Sequence, residues 1–381
     1  MRHLSVPKQD TQSFVTSLRS RGWYPKGYKI LLDGECTLIP VDENAQLESC
    51  EEFSRTPIVE LERELPETTT TWLPHLSKHV GEDVVNRYTG IWPNAQEHFG
   101  GLIIFKIDDQ IQNFVQEIAF AKLEFSKKAR LVLLDNGVEG EYRIRNLRPL
   151  AARHNGTIIG EKEIAKLKPK IQDQVLQTSE KITEYGASII ADPCKAYYSS
   201  RLANEREKTV SSATKLRMEL GRPLYVADPY CGVGPAIIQL ARKPQLVKDF
   251  LAVDINPGAA KLLQQNLDIN QIATSKQFPV GQGDALTLKD NPELLGKFDI
   301  LLMNLPHETI EHLPKLLPLL NQNNKTLLKG WVVLEESQIP NAENRIHEAI
   351  KEMKPSSHPK LEIRRQYNST KVLTRFESWL G

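Results

Sequence analysis

The chain has 381 residues, of which 40% are hydrophobic and 25% charged, which indicates a globular protein of two or three domains. A formal net charge of +1 excludes general binding of polyanions by the whole chain, so a nucleic-acid site would need a local basic surface. The composition also argues against a secreted, membrane or metal-binding protein, because four cysteines form no CxxC pair, and neither a signal peptide nor an apolar run of about 18 residues is present. We therefore expect a cytoplasmic protein with no membrane contact and no metal.

Residues 1–45 predict a small N-terminal module. The stretch "TQSFVTSLRSRG" has the spacing of an amphipathic helix, and "YKILL" and "CTLIPV" read as two short strands that meet at Asp33-Gly34. Residues 46–71 are acidic and rich in turn residues, which predicts a linker.

Residues 72–175 predict a second, basic α/β domain. It includes "GGLIIFKI", a helix at "QIQNFVQEIAFAKLEF" and a strand at "ARLVLLD". Between Ala121 and Arg153, eight lysines and arginines stand against four acidic residues, an excess that favours a face contacting RNA phosphates. A solvated charged surface would give the same count. The lysine-rich, helical stretch "EKEIAKLKPKIQDQVLQTSEKI" follows.

Residues 176–381 alternate between strand and helix patterns. The strand candidates are "LYVAD", "DFLAVD", "FDILLMN", "KGWVVLEE" and "KVLTRFESWL", and helical segments lie between most of them. This alternation predicts a doubly wound, Rossmann-like α/β domain with a mostly parallel sheet.

The stretch "DPYCGVGPA" after the first of these strands predicts a cofactor loop. Asp228 ends the strand, where an acid would meet the amino group of a bound amino acid, and Gly232 and Gly234 allow close backbone approach to a ligand. Asp254, 26 residues later, ends the next strand and is placed to contact ribose hydroxyls. Asp284 in "GQGDAL" is a candidate partner for an adenine amino group. Two glycines also occur in purely structural corners, and Asp284 equally suits a simple turn.

Two further stretches carry candidate chemistry. In "FDILLMNLPHE", Asn304 can donate and accept hydrogen bonds and Pro306 stiffens the turn, as in many enzymes that methylate planar nitrogens. This favours S-adenosylmethionine over a nicotinamide cofactor, although an ordinary strand-ending turn would look alike. In "KAYYSSRLANEREKT", Arg201 and Glu205 share one helix face, either as an exposed ion pair or as a general base with a cationic neighbour.

Taken in order, "YYSSRLANER", "DPYCGVGP", "VDINP" and "MNLPHETIEHLP" resemble the archaeal and eukaryotic tRNA (guanine-37 N1)-methyltransferases. Upstream, "GVEGEYRIRNLRPLA" is similar to that family's GxxGExRxRxLxxL pattern. The opening "LRSRGWYPKGYKILLDGECTLIPV" resembles its small N-terminal tRNA-recognition module. The resemblance covers most of the chain. It implies a monomeric class I methyltransferase that binds tRNA and uses S-adenosylmethionine to methylate N1 of the guanine 3′ of the anticodon.

The resemblance also implies a role for each matching residue. Glu205 would be the general base for the N1 proton, and Arg143 or Arg145 would stabilise negative charge on O6. Asn304 and Pro306 would hold the guanine edge. Tyr197 and Arg201 would line the same pocket, and with Asn304 they join the cofactor-binding set, whose other members are Asp228, Gly232, Gly234, Asp254 and Asp284.

The sequence departs from the family pattern at a few positions. Tyr230-Cys231 replace Phe-Ala before the first loop glycine, Ala236 stands where Phe is usual, and Ser200 replaces the proline before Arg201. These changes bear on the shape of the methionine pocket and on the rate.

Three other functions stay open. The aminocarboxypropyl transferase of wybutosine synthesis is the nearest, but it typically has Gly-Asn in place of Arg201-Leu202 and Asn-Leu-Gly in place of Asn-Leu-Pro. A nicotinamide oxidoreductase has no need of that turn or of a basic module. A catalytically silent RNA-binding protein would not need Glu205, Asn304 and Pro306. Methylation of a wyosine precursor as a second product is a further possibility within the same family.

Overall fold

The computed structural model describes residues 1–25, 28, 30–62, 71–140, 142, 144–368 and 370–381. Contacts between Cα atoms divide the chain into two units, Met1–Pro74 and His75–Gly381. None of the helices in these described ranges combines the length and apolar character that a membrane crossing requires.

The first unit is a four-stranded antiparallel sheet with helices packed on it. Its strands lie in the order β2-β3-β1-β4 and its helices are α1 and α2. They span β1 (Arg2–Pro7), α1 (Thr11–Ser20), β2 (Leu31–Asp33), β3 (Cys36–Pro40), α2 (Glu51–Ser54) and β4 (Ile58–Glu60). The predicted helix and the hairpin at Asp33-Gly34 are present, since β2 and β3 pair across that turn.

The structure differs from the prediction of a linker over residues 46–71. Leu47 and Phe53 are buried in the core of the first unit, and β4 pairs with β1. Apolar residues lie between the acidic residues of this segment. Its acidic composition predicted a linker, although these apolar side chains form a small buried face. Residues 63–70, the rest of the predicted linker, lie outside the described residues.

The second unit begins with a five-stranded sheet in sequence order, β5 to β9. Its only parallel pair, β6 and β7, is connected through helix α5, and the other pairs are antiparallel. The helices and strands of this part are α3 (Leu73–Val80), α4 (Glu82–Arg87), β5 (Gln96–Phe99), β6 (Leu102–Phe105), α5 (Val115–Phe125), β7 (Leu131–Glu139), β8 (Ile144–His154), β9 (Thr157–Gly160), α6 (Glu161–Ile164) and α7 (Pro169–Val175).

The lysine-rich stretch predicted as one helix is interrupted. Pro169 begins α7, because proline suits the first turn of a helix but cannot continue an existing one. The chain then forms a hairpin of β10 (Glu180–Glu184) and β11 (Ala187–Ala191), which the sequence analysis did not predict.

The remaining residues form a seven-stranded sheet in the order β14-β13-β12-β15-β16-β18-β17. The first five strands in this order are parallel, and the last two are antiparallel. Its strands are β12 (Leu224–Asp228), β13 (Val247–Asp254), β14 (Val280–Gln282), β15 (Ile300–Met303), β16 (Thr326–Glu335), β17 (Glu362–Gln366) and β18 (Lys371–Leu380). The helices are α8 (Ala203–Leu220), α9 (Pro235–Ala241), α10 (Pro257–Ile269), α11 (Thr309–Leu316) and α12 (Ile339–Ile350). The predicted doubly wound, mostly parallel sheet is confirmed.

Both faces of the central strands β12, β15 and β16 are buried, which explains why these strands read as continuous apolar runs. Successive residues of β12, Val226 and Ala227, enter two different hydrophobic clusters, and so do Ile300 and Leu301 of β15. The cluster containing Val226 also contains Leu102 and Leu131 of the five-stranded sheet. The domain boundary predicted near residue 175 is therefore not a break in the core.

Candidate active site

The glycine loop follows β12 at the carboxyl edge of the parallel strands, where ligands bind in open α/β sheets. Gly232 and Gly234 have φ angles of 55° and 81°, in the left-handed region that favours glycine. A Cβ atom on Gly234 would overlap Leu263 Cδ1 of α10, and one on Gly232 would lie 3.7 Å from the Tyr197 carbonyl oxygen. Gly234 thus lets the loop pack on α10, while Gly232 keeps the backbone close to the Tyr197 segment.

Asp254 holds this loop in place from the end of β13. Its Oδ2 accepts a hydrogen bond from the Gly232 N–H at 2.8 Å, and its Oδ1 accepts one from the Asn256 N–H at 3.0 Å. Burial raises the pKa of Asp254, and the two backbone hydrogen bonds partly oppose this. The carboxylate keeps further lone pairs with which to accept bonds from ribose hydroxyls.

Asp228 is the most unusual acid of the loop. It is only 1% exposed, and its Oδ1 atom has no hydrogen-bond partner among the described residues. Burial raises its pKa to about 7, the nearby Asp254 carboxylate adds to this, and a hydrogen bond from the Tyr230 backbone opposes it. A buried carboxylate without a cation favours a positively charged ligand, such as the amino group of an amino acid.

Tyr230 and Cys231, two of the residues that depart from the family pattern, are both anchored. The Tyr230 hydroxyl bonds to Nδ1 of His312 at 2.6 Å, and the buried Cys231 donates its backbone N–H to the Val253 carbonyl. Burial raises the pKa of Tyr230, and the negative charges of Asp284 and Glu308 add to the effect. Asp284 itself is exposed and accepts a hydrogen bond from the Leu286 N–H at 2.9 Å, so it caps a short 3₁₀ helix. Its electrostatic interaction with Tyr230 also places it near the loop.

The Asn-Leu-Pro turn directly follows β15. The Pro306 carbonyl accepts a hydrogen bond from the Val333 N–H at 2.8 Å, and the Thr309 hydroxyl donates to the Leu305 carbonyl at 2.9 Å. The side chain of Asn304 is exposed. The backbone of this turn is thus fixed by its neighbours while the Asn304 amide remains accessible to a ligand.

Glu205 lies in the first turn of α8 and is only 5% exposed. Its Oε1 atom contacts Arg364 Nη2 at 2.6 Å and Lys208 Nζ at 3.2 Å. Its Oε2 atom accepts a hydrogen bond from Arg375 Nη1 at 3.1 Å. Arg201, which the sequence placed on the same helix face, is exposed and is not among these partners.

The three cations decide the ionisation of Glu205. Burial by itself would raise the pKa of this carboxyl, but Lys208, Arg375 and Arg364 together hold it below its usual range. Glu205 is therefore a carboxylate at neutral pH, as a group that accepts a proton must be.

Arg145 is committed to ion pairs in the five-stranded sheet. Its guanidinium contacts Glu97 at 2.8 Å and Asp135 at 3.0 Å. Burial lowers the pKa of Arg145, but these two partners outweigh it and raise the pKa overall. The positive charge of Arg145 also interacts electrostatically with the thiol of Cys194. Cys194 lies three residues before Tyr197, which is 65% exposed. Arg143, the alternative arginine, lies outside the described residues.

Much of the predicted basic face is used inside the protein. Lys122 is buried and donates to the Pro93 carbonyl, Arg130 pairs with Glu180, and Arg153 donates to main-chain carbonyls. Lys127 and Lys128 are exposed. The excess of positive charge counted in the sequence thus overstates the charge available to RNA phosphates.

The structure brings the predicted residues together in two groups. The first comprises the glycine loop, Asp228, Asp254 and the backbone of Tyr197. The second is linked only indirectly: the Asn-Leu-Pro turn bonds through Pro306 to Val333, and Leu202, just before the helix that holds Glu205, packs on the cluster that contains Val333. Among the described contacts, Arg145 joins neither group. No cluster of His, Cys, Asp or Glu suited to a metal ion occurs in the described ranges.

Sequence reasoning missed Lys208, Arg364 and Arg375 as partners of Glu205. A signal was present in the strand "KVLTRFESWL", where Arg375 and Glu377 lie two residues apart and so share one face with Leu373 and Trp379. Charges on one face of a buried strand are costly unless they are paired, so they indicate an internal ion network.

Residues 181–355 match the family model of the TRM5/TYW2 methyltransferase domain. The tRNA (guanine(37)-N(1))-methyltransferase Trm5b of Pyrococcus abyssi is 27% identical over 313 residues, which cover 81% of this chain and 78% of that protein. The crystal structure of wild-type Trm5b from Pyrococcus abyssi has a TM-score of 0.62 at 22% identity and covers 99% of this chain and 98% of that one. The complex structure of aTrm5 and tRNALeu has a TM-score of 0.60 at 18% identity and covers both chains fully.

The structural likeness at these identities establishes a common fold, and the family match covers the glycine loop, Glu205 and the Asn-Leu-Pro turn. The resemblance inferred from the sequence is confirmed over residues 181–355, which match the TRM5/TYW2 methyltransferase domain.

Proposed function

We propose that this protein is a tRNA methyltransferase that transfers a methyl group from S-adenosylmethionine to N1 of guanosine 37, next to the anticodon. The observation that carries the proposal is that one sheet carries a cofactor loop around the buried Asp228 and an accessible Asn304 at a strand end, and that the helix leading into it holds a buried, ionised Glu205. The curated Pyrococcus abyssi relative bears this activity in its name and matches over most of both chains.

The loop residues fit S-adenosylmethionine. The unpaired oxygen of Asp228 suits the amino group of its methionine part, and Asp254 retains acceptor capacity for the ribose hydroxyls. Gly232 leaves the space beside Tyr197 free of a side chain, and Asp284 lies near Tyr230 on the side we assign to adenine. When bound, S-adenosylmethionine supplies an electrophilic methyl group.

The chain's own residues would prepare the guanine. Its N1 must lose a proton before it can form a bond to the methyl carbon, and the Glu205 carboxylate is the group that would accept this proton. As the proton leaves, negative charge grows on O6, which a guanidinium would stabilise. Asn304 would bond to the base edge, with Pro306 keeping its turn rigid.

If Arg145 is the residue that contacts O6 of the guanine, its present ion pairs must change. Arg145 is held by Glu97 and Asp135, so it would have to give up part of one ion pair to reach a base. Arg143 is the other candidate in the same motif. Tyr197 and Arg201, both exposed, would line the pocket that receives the base after it leaves its stack.

The direct experiment incubates the protein with unmodified tRNA and methyl-labelled S-adenosylmethionine, and maps the modified base by mass spectrometry. We expect one added methyl group on N1 of guanosine 37. A tRNA with adenosine at position 37 is the matched control and should stay unlabelled. Addition of an aminocarboxypropyl group instead, or label at another nucleotide, would overturn the proposal.

A further inference from the structure

Two arginines that the sequence analysis did not single out hold the candidate base from neighbouring strands. Arg364 extends from β17 to Oε1 of Glu205 at 2.6 Å, and Arg375 extends from β18 to Oε2 at 3.1 Å. We propose that Arg364 and Arg375 are positioning residues for methyl transfer, which fix the orientation of the Glu205 carboxylate and set its affinity for the guanine proton. The proposal rests on the function proposed above.

The geometry fixes the direction of the carboxylate. Because its two oxygens are bonded to cations on two different strands, the group cannot rotate without breaking at least one ion pair. Each carboxylate oxygen has two acceptor positions; Arg364 and Lys208 occupy those of Oε1, whereas Arg375 leaves one on Oε2 for the incoming proton. A base that is held in one orientation loses less freedom when the substrate arrives, which favours the reaction.

The charges facing Glu205 come from four elements. Lys208 lies on its own helix α8, Arg364 on β17 and Arg375 on β18. Lys329 of β16 is fully buried, pairs with Glu377 at 3.1 Å, and interacts electrostatically with both Glu205 and Arg375. The surroundings of the carboxylate are therefore strongly positive.

The two arginines contribute more to this field than Lys208 does. Their side chains are 12% exposed at Arg375 and 28% at Arg364, against 46% at Lys208. Water screens a more exposed charge more effectively, so the charges of the two less exposed guanidinium groups act more strongly on Glu205 than the charge of Lys208 does.

Glu362 completes the arrangement. It contacts Arg375 at 2.5 Å and Arg364 at 3.6 Å, so it bridges the two guanidinium groups from the side facing solvent. When Glu205 takes up the N1 proton and becomes neutral, Glu362 remains as a counter-charge for both arginines. This limits the energetic penalty of leaving two partly exposed cations without their first partner.

The test compares Arg364→Gln, Arg364→Lys and wild type in single-turnover methyl transfer between pH 5 and pH 8. Removing one opposite charge raises the proton affinity of Glu205, so more of it is already protonated at pH 5. We expect the ratio of the rates at pH 8 and pH 5 to grow by up to about threefold in Arg364→Gln, because the loss of one nearby charge raises proton affinity about tenfold from a pKa that starts below its usual value. Arg364→Lys should restore most of the wild-type profile. Arg375→Gln should change the profile in the same direction.

Arg345→Gln is the matched control, because it breaks an exposed arginine–glutamate pair with Glu311 and should leave the profile unchanged. A profile of Arg364→Gln that runs parallel to wild type would overturn the proposal.

A second measurement does not depend on activity. The Glu205 carboxyl, labelled with ¹³C and assigned by its absence in Glu205→Gln, is titrated by NMR in wild type and Arg364→Gln. We expect the midpoint to move to higher pH in the variant, and an unchanged midpoint would refute the proposal. If the midpoint moves but wild type transfers no methyl group, the proposed function fails while the ion network stands. Should Arg364→Gln not fold, Arg364→Lys is titrated instead, with a smaller shift in the same direction expected and no shift counting against the proposal.

Discussion

Replacing Asp228 by asparagine should stabilise the cofactor-free protein, and more so at high pH. The two side chains have nearly the same shape, but only the carboxyl can ionise. Burial raises the pKa of Asp228 from 3.8 to about 7. When folding raises the pKa of a group, the group's contribution to stability is fully present at pH values below its pKa in the unfolded state. This contribution is lost as the pH rises through its pKa in the folded state. Wild type should therefore lose this contribution between about pH 4 and pH 7, while the asparagine variant should not.

The size of the effect follows from these two pKa values. Between pH 5 and pH 8 the linkage relation gives a loss of about 3 kcal/mol in wild type. The gain in unfolding free energy of Asp228→Asn over wild type should thus be about 3 kcal/mol larger at pH 8 than at pH 5. Other titrating groups are common to both proteins and cancel in the comparison.

Urea unfolding of the cofactor-free proteins at both pH values provides the measurement. Asp284→Asn is the control, because Asp284 is exposed and asparagine can cap the same short helix. It should change stability by less than about 0.5 kcal/mol at either pH. An equal difference between Asp228→Asn and wild type at pH 5 and pH 8 would show that the carboxyl is ionised throughout. Added S-adenosylhomocysteine should stabilise wild type more than the variant, because the variant lacks the partner for the ligand's amino group.

Three further predictions concern the base, the loop and the RNA. Glu205→Gln should slow single-turnover methyl transfer by about 10²–10⁴-fold at neutral pH. The defect should be smaller at higher pH, where guanine N1 ionises without a base. Equal rates for variant and wild type at pH 7 would mean that Glu205 serves only as an ion-pair partner of its cations. Gly234→Ala should lower the unfolding free energy by about 2–4 kcal/mol, because the φ of 81° is left-handed and the added Cβ overlaps Leu263. Urea unfolding measures this loss. A smaller loss would mean that the loop relaxes around the added methyl group. The affinity for tRNA should fall as the salt concentration rises. Replacing the exposed Lys127 and Lys128 by alanine should reduce this salt dependence. An affinity that does not change with salt concentration would exclude phosphate contacts.

The parallel sheet and the cofactor loop could be predicted from the sequence because their signals are local. A buried strand, two glycines and an acid at the next strand end occupy neighbouring stretches of chain, and the fold places all strand ends at one edge. The Asn304 turn was predictable for the same reason.

The partners of Glu205 could not be predicted in this way. Arg375 lies 170 residues further along the chain, and its approach to α8 depends on the order in which β16, β17 and β18 join the sheet. Nearness in sequence suggested Arg201 instead, which turned out to be exposed.

Charge counting failed for a related physical reason. Lys122 and Arg130 raise the count of basic residues but are satisfied by partners inside the fold. In the acidic segment, Phe53 was outnumbered by glutamates, yet a single buried aromatic side chain is enough to tie a short segment to a core.

The position of β18 has a consequence for the order of events during synthesis. Residues Lys371–Leu380 form an interior strand, paired with β16 on one side and β17 on the other. While these residues are still inside the ribosome, β17 has no neighbour and Glu205 lacks Arg375. A nascent chain would therefore present an unfinished sheet edge until residue 380 has emerged, and the candidate base would lack its full ionic surroundings until then.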